Sequence, residues 1–220
     1  MKFLLIVILI VSCELCFGQK ASYAGIFPEA EVIKSMGKFY TAIKIESQHS
    51  LLNINQTEVD RFGYFHDRTD LQGFIGIKMK NDSKWTIGYQ YRLQPNVDNH
   101  RSIQQYSWLS RNEYLKVSHR IRADQTFELN QFVQWRIRYR LSVQIPLSNG
   151  KQQYLLISDE PIYSLKEGTS VLENRFVLAL GILLTDQCKF QIGPDYRLDG
   201  DLVTKPRTRL WLKIGWFYRL

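Results

Sequence analysis

Apolar and polar residues alternate over long stretches of this chain. Over residues 133–145 the apolar set is Val133, Trp135, Ile137, Tyr139, Leu141, Val143 and Ile145, and the polar set between them is Gln134, Arg136, Arg138, Arg140, Ser142 and Gln144. A period of two over that length predicts a β-strand and leaves no helical alternative, because apolar helix positions recur at steps of three and four. The stretch is longer than the roughly 5–6 residues of an ordinary soluble strand. The pattern returns at 71–79, 85–93 and 115–123, and in the final stretch Leu210, Leu212, Ile214, Trp216, Tyr218 and Leu220 share a face.

Turn-forming residues separate these segments. Short connectors fall at Asn81-Asp82-Ser83, Ser110-Arg111-Asn112, Ser148-Asn149-Gly150-Lys151 and Thr185-Asp186, and longer polar ones at 94–99, 124–130, 164–170 and 199–204. Tight turns that alternate with longer loops are the asymmetry of an outer-membrane barrel. A tilted spanning strand needs roughly 9–11 residues. About ten strands then fit, beginning near Lys38, Thr69, Lys84, His100, Glu113, Gln131, Gln152, Leu172, Gln187 and Arg207. An even count puts both chain ends on the periplasmic side. Residues 19–37 are therefore expected as a periplasmic N-terminal lead and residues 38–220 as the barrel. Twelve strands is the alternative, since 47–67 is long enough to contain another hairpin.

The predicted fold class is thus all-β, an antiparallel transmembrane β-barrel. A soluble sandwich or lipocalin-like barrel also alternates, with its apolar face turned inward. Strand length favours the membrane form, as do Trp and Tyr near the ends of the apolar faces, where interface girdles sit.

Both chain ends fit export. Met1 and Lys2 give a positive start, residues 3–11 are an unbroken apolar run, and Cys16-Phe17-Gly18 places small residues at −3 and −1 before Gln19. That layout predicts a signal peptide over residues 1–18. Ile10-Val11-Ser12-Cys13 offers a rival, a lipobox with Cys13 as a lipidated N-terminus. Cleavage after Gly18 leaves Cys188 as the one cysteine, so the mature chain has no intramolecular disulfide. The last residues, Lys213 to Leu220, resemble the insertion signal read by the outer-membrane barrel-assembly machinery. The expected location is the bacterial outer membrane, with membrane lipid and that machinery as partners; the oligomeric state stays open.

Composition narrows the classes. With 45% hydrophobic residues, 13 glycines and 6 prolines in 220 residues, the chain is neither disordered nor low-complexity. Its net charge of +8 does not point to nucleic acid, because no recognition motif is present and the arginines alternate with apolar residues. Arg92, Arg120, Arg122, Arg136, Arg138 and Arg140 project from the polar faces, with Glu46, Asp70, Glu113, Glu128, Asp159, Glu160 and Glu173 available as partners. A small barrel has little free interior, so a packed ion-pair network is expected to fill the lumen. A basic passage for small anions is the other reading of the same ladder.

No catalytic, cofactor-binding or metal-ligating residue is assigned. His49, His66, His100 and His119 lack metal spacing. The enzymatic alternative is a rim-sited hydrolase acting on lipid or peptide, built from His66, His100 and Ser102, with Asp98 near. Its condition is that these side chains converge at one rim. Cys188 shares a side with Phe190 and Ile192 and reads as a small apolar wall residue.

Several short stretches resemble the bacterial outer-membrane family known as domain of unknown function 2490. They are Asn99-His100-Arg101 with Gln104-Gln105, Ser118-His119-Arg120-Ile121-Arg122, Arg136-Ile137-Arg138-Tyr139-Arg140-Leu141 with Pro146-Leu147, Glu160, Asn174-Arg175 with Gly181, and Tyr196. The sequence departs from the family pattern at Asn99, where an acid is usual, and at Asp124 and Thr126, where glutamate and arginine are common. The resemblance implies an outer-membrane barrel and no particular activity. The function expected is that of a non-enzymatic membrane barrel: a structural element, narrow pore or scaffold.

Overall fold

The computed structural model describes residues 23–53, 61–95, 98–148, 150, 152–201 and 205–220. The signal peptide over 1–18 and Cys13 lie outside these residues. Those described form eleven strands and no helix: β1 (Tyr23–Met36), β2 (Phe39–Asn53), β3 (Arg61–Lys78), β4 (Ser83–Leu93), β5 (Asn99–Arg111), β6 (Lys116–Phe127), β7 (Gln134–Pro146), β8 (Gln153–Lys166), β9 (Thr169–Leu183), β10 (Cys188–Asp201) and β11 (Lys205–Arg219). Each pairs with its chain neighbours to make one closed barrel. These pairs are antiparallel. The closing pair, β1 with β11, is parallel, from Tyr23 opposite Arg209 to Ile33 opposite Arg219.

The all-β barrel stands, but the strand number is neither ten nor twelve. The additional strand is β1, which occupies most of the segment expected as a lead, 19–37. Its sequence hides it. Pro28 has no N–H for the ladder, and the pairing of β1 with β2 skips from Ile26 opposite His49 to Glu29 opposite Glu46. The alternative of a hairpin within 47–67 also falls. β2 and β3 pair directly out to Asn53 opposite Arg61, so β3 starts at Arg61 and not near Thr69.

An odd strand count puts the start of the first strand and the end of the last at opposite rims. β1 begins at one, here the N-terminal rim, which carries the connections β2–β3, β4–β5, β6–β7, β8–β9 and β10–β11. β11 ends at the other, the C-terminal rim. The longer loop expected over 164–170 is strand on both sides of a two-residue turn, Glu167–Gly168. Both turn residues have positive φ, 48° and 76°, which a two-residue hairpin of matching twist requires and glycine supplies without strain.

The polarity of the wall follows the alternation. Ile43, Ile75, Ile87 and Ile137 point outward and are 59–74% exposed. Trp85, Tyr89, Trp135, Tyr163 and Trp216 share that outer face. Most buried inward positions are polar, among them Gln90, Arg101, Asp124, Arg138, Glu160 and Arg197, with Phe27, Val177 and Trp211 as apolar exceptions. The barrel is apolar outside and charged inside.

Candidate functional site

The lumen is crossed by ion pairs that the cross-strand register builds. Glu160 on β8 is 1% exposed. It accepts from Arg120 Nη2 at 2.7 Å, Arg138 Nη2 at 2.8 Å and Arg140 Nη2 at 2.8 Å. Asp124 on β6 accepts from Arg122 Nε at 2.5 Å and from Arg138 Nη1 at 3.4 Å. Arg138 therefore ties Asp124 to Glu160 across three strands. Around the wall, Arg92 grips both oxygens of Asp70 at 2.6 and 2.8 Å. Arg197 holds Asp195 with two bonds of 2.8 Å, and Arg175 donates to Glu173 at 2.6 Å. At the parallel seam, Glu29 on β1 bridges Lys44 on β2 at 2.9 Å and Lys213 on β11 at 3.0 Å.

These side chains fill the middle of the barrel and leave a void of about 40 Å³ there. A larger cavity lies on each side. One, about 310 Å³, opens towards the C-terminal rim and is lined by Lys44, Arg120, Arg140, Lys189 and Lys213 among others. The other, about 300 Å³, lies at the N-terminal rim and includes Gln48, Asp67, Arg68, Arg209 and Trp211. A charged septum thus separates two vestibules. Unmatched buried charge is costly, which is why each septum carboxylate sits on guanidinium or ammonium donors.

The arginines expected inside are inside, with one departure among the three of β7. Arg138 and Arg140 have carboxylate partners, whereas Arg136 donates to Gln134 Oε1 at 2.8 Å. Of the seven acids expected to serve them, only Asp70 and Glu160 do; Glu46 pairs instead with Lys44, Glu128 with Lys166 and Glu173 with Arg175, and the other two are placed elsewhere. Asp159 lies on the opposite face of β8 from Glu160 and accepts from Asn174 at 3.0 Å, and Glu113 is exposed in the turn between β5 and β6. Asp195 and Glu29 were not singled out by the sequence, because neither lies in a clean alternating run.

The hydrolase constellation does not assemble. Ser102 and His100 share the outer face of β5, but Ser102 Oγ donates to Gln125 Oε1 at 2.8 Å. His100 Nδ1 instead bonds the Tyr89 hydroxyl, and the Tyr91 hydroxyl donates to Asp98 at 2.6 Å. His66 sits on β3, with β4 between it and β5. His119 stacks on Trp108, 4.7 Å between ring centroids, and bonds the Tyr139 hydroxyl at 2.8 Å. Cys188 is a free thiol, buried at the start of β10.

A different polar group gathers around Ser47. Its Oγ is 2.9 Å from His49 Nε2 and 2.9 Å from Thr69 Oγ1, and it reaches the Arg68 carbonyl at 3.4 Å. His66 Nε2 lies 2.9 Å from the same Thr69 hydroxyl. Residues three apart on a regular strand face opposite sides. His66 and Thr69 meet because the β2–β3 register shifts between Gln48 opposite Arg68 and His49 opposite His66, leaving Asp67 as an extra residue. That bulge is why sequence periodicity could not find the group. His49 Nδ1 is buried and has no hydrogen-bond partner among the described residues.

Among the described residues no three His, Cys, Asp or Glu side chains are grouped to hold a metal ion. A search of curated proteins finds no match. The family model described as a protein of unknown function (DUF2490) matches residues 37–199, from the first hairpin turn through most of β10. The match covers more than half of the 220 residues and leaves β1 and β11, the closing pair, outside it. The chain belongs to the DUF2490 family of proteins of unknown function.

Proposed function

We propose that this protein is an outer-membrane β-barrel with a sealed lumen, acting as a structural element or scaffold of that membrane and not as an open pore. The observation that carries this reading is the reversed polarity of the wall. A barrel made for water turns its apolar residues inward, whereas here Ile43, Ile87 and Ile137 are 60–74% exposed and arginine–carboxylate pairs take the interior. An apolar outer band with aromatic residues near its edges matches what lipid requires. The positive, then apolar, N-terminus supports export, and the hydrophobic C-terminal strand supports assembly by the barrel-inserting machinery. The septum supports the sealed lumen. Fractionation tests the location: the mature chain remains with outer membranes after high-salt washing. Recovery as a soluble periplasmic protein overturns the reading.

Ser47 gives a second reading some footing, that of a hydrolase acting on lipid esters from the outer face of the wall. For His49 to take the Ser47 proton, its Nε2 must accept, so Nδ1 must carry hydrogen. Among the described residues nothing orients that nitrogen, and catalytic dyads need an oriented base. The sealed-barrel reading is therefore preferred. Fluorogenic lipid-ester turnover that disappears in Ser47→Ala reverses the preference.

A further inference from the structure

We infer that the vestibule at the N-terminal rim is a binding site for a small soluble oxyanion, a phosphate or a compact phosphomonoester. Four observations carry this.

The first is charge. Arg68, Arg207 and Arg209 line this cavity of about 300 Å³, and among the described residues Asp67 is its one acidic lining residue. Asp67 already accepts from Ser50 at 2.6 Å. The nearest acid below Arg68 is Asp70, whose two oxygens are gripped by Arg92. Arg68 Nε stands 3.8 Å from Asp70, beyond hydrogen-bond reach, and has no hydrogen-bond partner among the described residues. Arg68 therefore brings to the cavity a guanidinium N–H that no described residue takes up.

The second is a pair of unused donors. Gln48 and Trp211 are each 2% exposed, and both line the cavity. Gln48 Nε2 and Trp211 Nε1 have no hydrogen-bond partner among the described residues. A buried donor left unpaired costs roughly 1–3 kcal/mol, so such groups in a polar cavity point to an acceptor that fills it. Neither donor accepts a proton, so the acceptor must be rich in oxygen lone pairs. With the arginines beside them, that describes an oxyanion.

The third is that the Trp211 ring has a built seat. Gly25 lies opposite Trp211 in the parallel seam. A Cβ at Gly25 would stand 2.8 Å from the indole and 2.1 Å from the His49 carbonyl oxygen. Only glycine lets the ring lie across β1 at this point.

The fourth is access. The lining residues come from the inner faces of β1, β2, β3 and β11, with Asp67 of the β3 bulge and Gln94 just after β4. The wall therefore stands between the cavity and anything bound outside the barrel. The ligand arrives through the water at the rim, which selects a soluble oxyanion over a lipid headgroup. The septum closes the far side, so the vestibule holds its ligand and does not pass it on.

The test is calorimetric titration of inorganic phosphate into the folded, detergent-solubilised full chain, which makes it independent of where the barrel resides. Trp211→Phe keeps an aromatic ring and removes the donor. The expected result is saturable binding by the unaltered protein, weakened about tenfold in Trp211→Phe, as loss of one hydrogen bond to a charged group implies. No saturable binding by the unaltered protein overturns the inference, and so does undiminished binding by a folded Trp211→Phe. Should that variant not fold, Gln48→Leu decides by the same two outcomes.

Discussion

Arg138 and Glu160, on adjacent strands, are joined by a 2.8 Å hydrogen bond in the middle of the lumen, where they are 6% and 1% exposed. The pair is not symmetric in its dependence. Glu160 also serves Arg120 and Arg140, while Arg138 is one of its three donors. Arg138→Ala leaves Glu160 with two donors and Asp124 with Arg122. The loss is then that of a charged hydrogen bond, about 1.5–3 kcal/mol. Glu160→Ala leaves three guanidiniums facing one another, and a buried charge stripped of its partner costs about 3–5 kcal/mol. Thermal unfolding of the two variants should therefore rank Glu160→Ala below Arg138→Ala, and both below the unaltered barrel. An open, water-filled lumen predicts near-equal stability for all three.

Ile137 is the neighbour of Arg138 in sequence and its opposite in facing, 62% exposed on the outside of β7. If that face meets lipid, Ile137→Arg near the midplane costs about 2–4 kcal/mol in a bilayer. Denaturant unfolding from lipid vesicles measures it. An unchanged midpoint removes the lipid-facing reading of this strand.

The sequence made these faces legible where alternation is unbroken. The stretch 133–145 corresponds to β7, Gln134–Pro146, with its arginines inside and its apolar set outside. It failed where a proline or a bulge breaks the period. Pro28 removes a ladder donor in β1, and Asp67 interrupts β3, so one strand read as a lead and the first part of another as a loop. In β3, outward Phe62 and Tyr64, 83% and 65% exposed, flank Gly63, and this mixed stretch carries no clear two-residue signal. Partner choice was less legible still. Which carboxylate meets which arginine depends on register between strands, and Asp159 and Glu160 differ by one position and face opposite ways. The N-terminal vestibule needed the parallel seam, which no local pattern announces.

That seam makes a topological prediction. Because β1 and β11 run parallel, the chain enters the wall at one rim and leaves at the other. In vesicles carrying the barrel in a single orientation, an epitope tag placed before Tyr23 and one placed after Leu220 should differ in exposure to external protease. One is cleaved and the other protected. Equal treatment of the two tags contradicts the parallel closure and restores an even strand count.

A sealed lumen carries no ionic current, and single-channel recording measures that. Folded protein, shown by flotation to have entered the vesicles fused to the planar bilayer, should give no unitary current steps, because the septum around Arg138, Asp124 and Glu160 leaves a void of only about 40 Å³. Reproducible anion-selective steps from the unaltered protein, shifted in selectivity by Arg138→Ala, would contradict it.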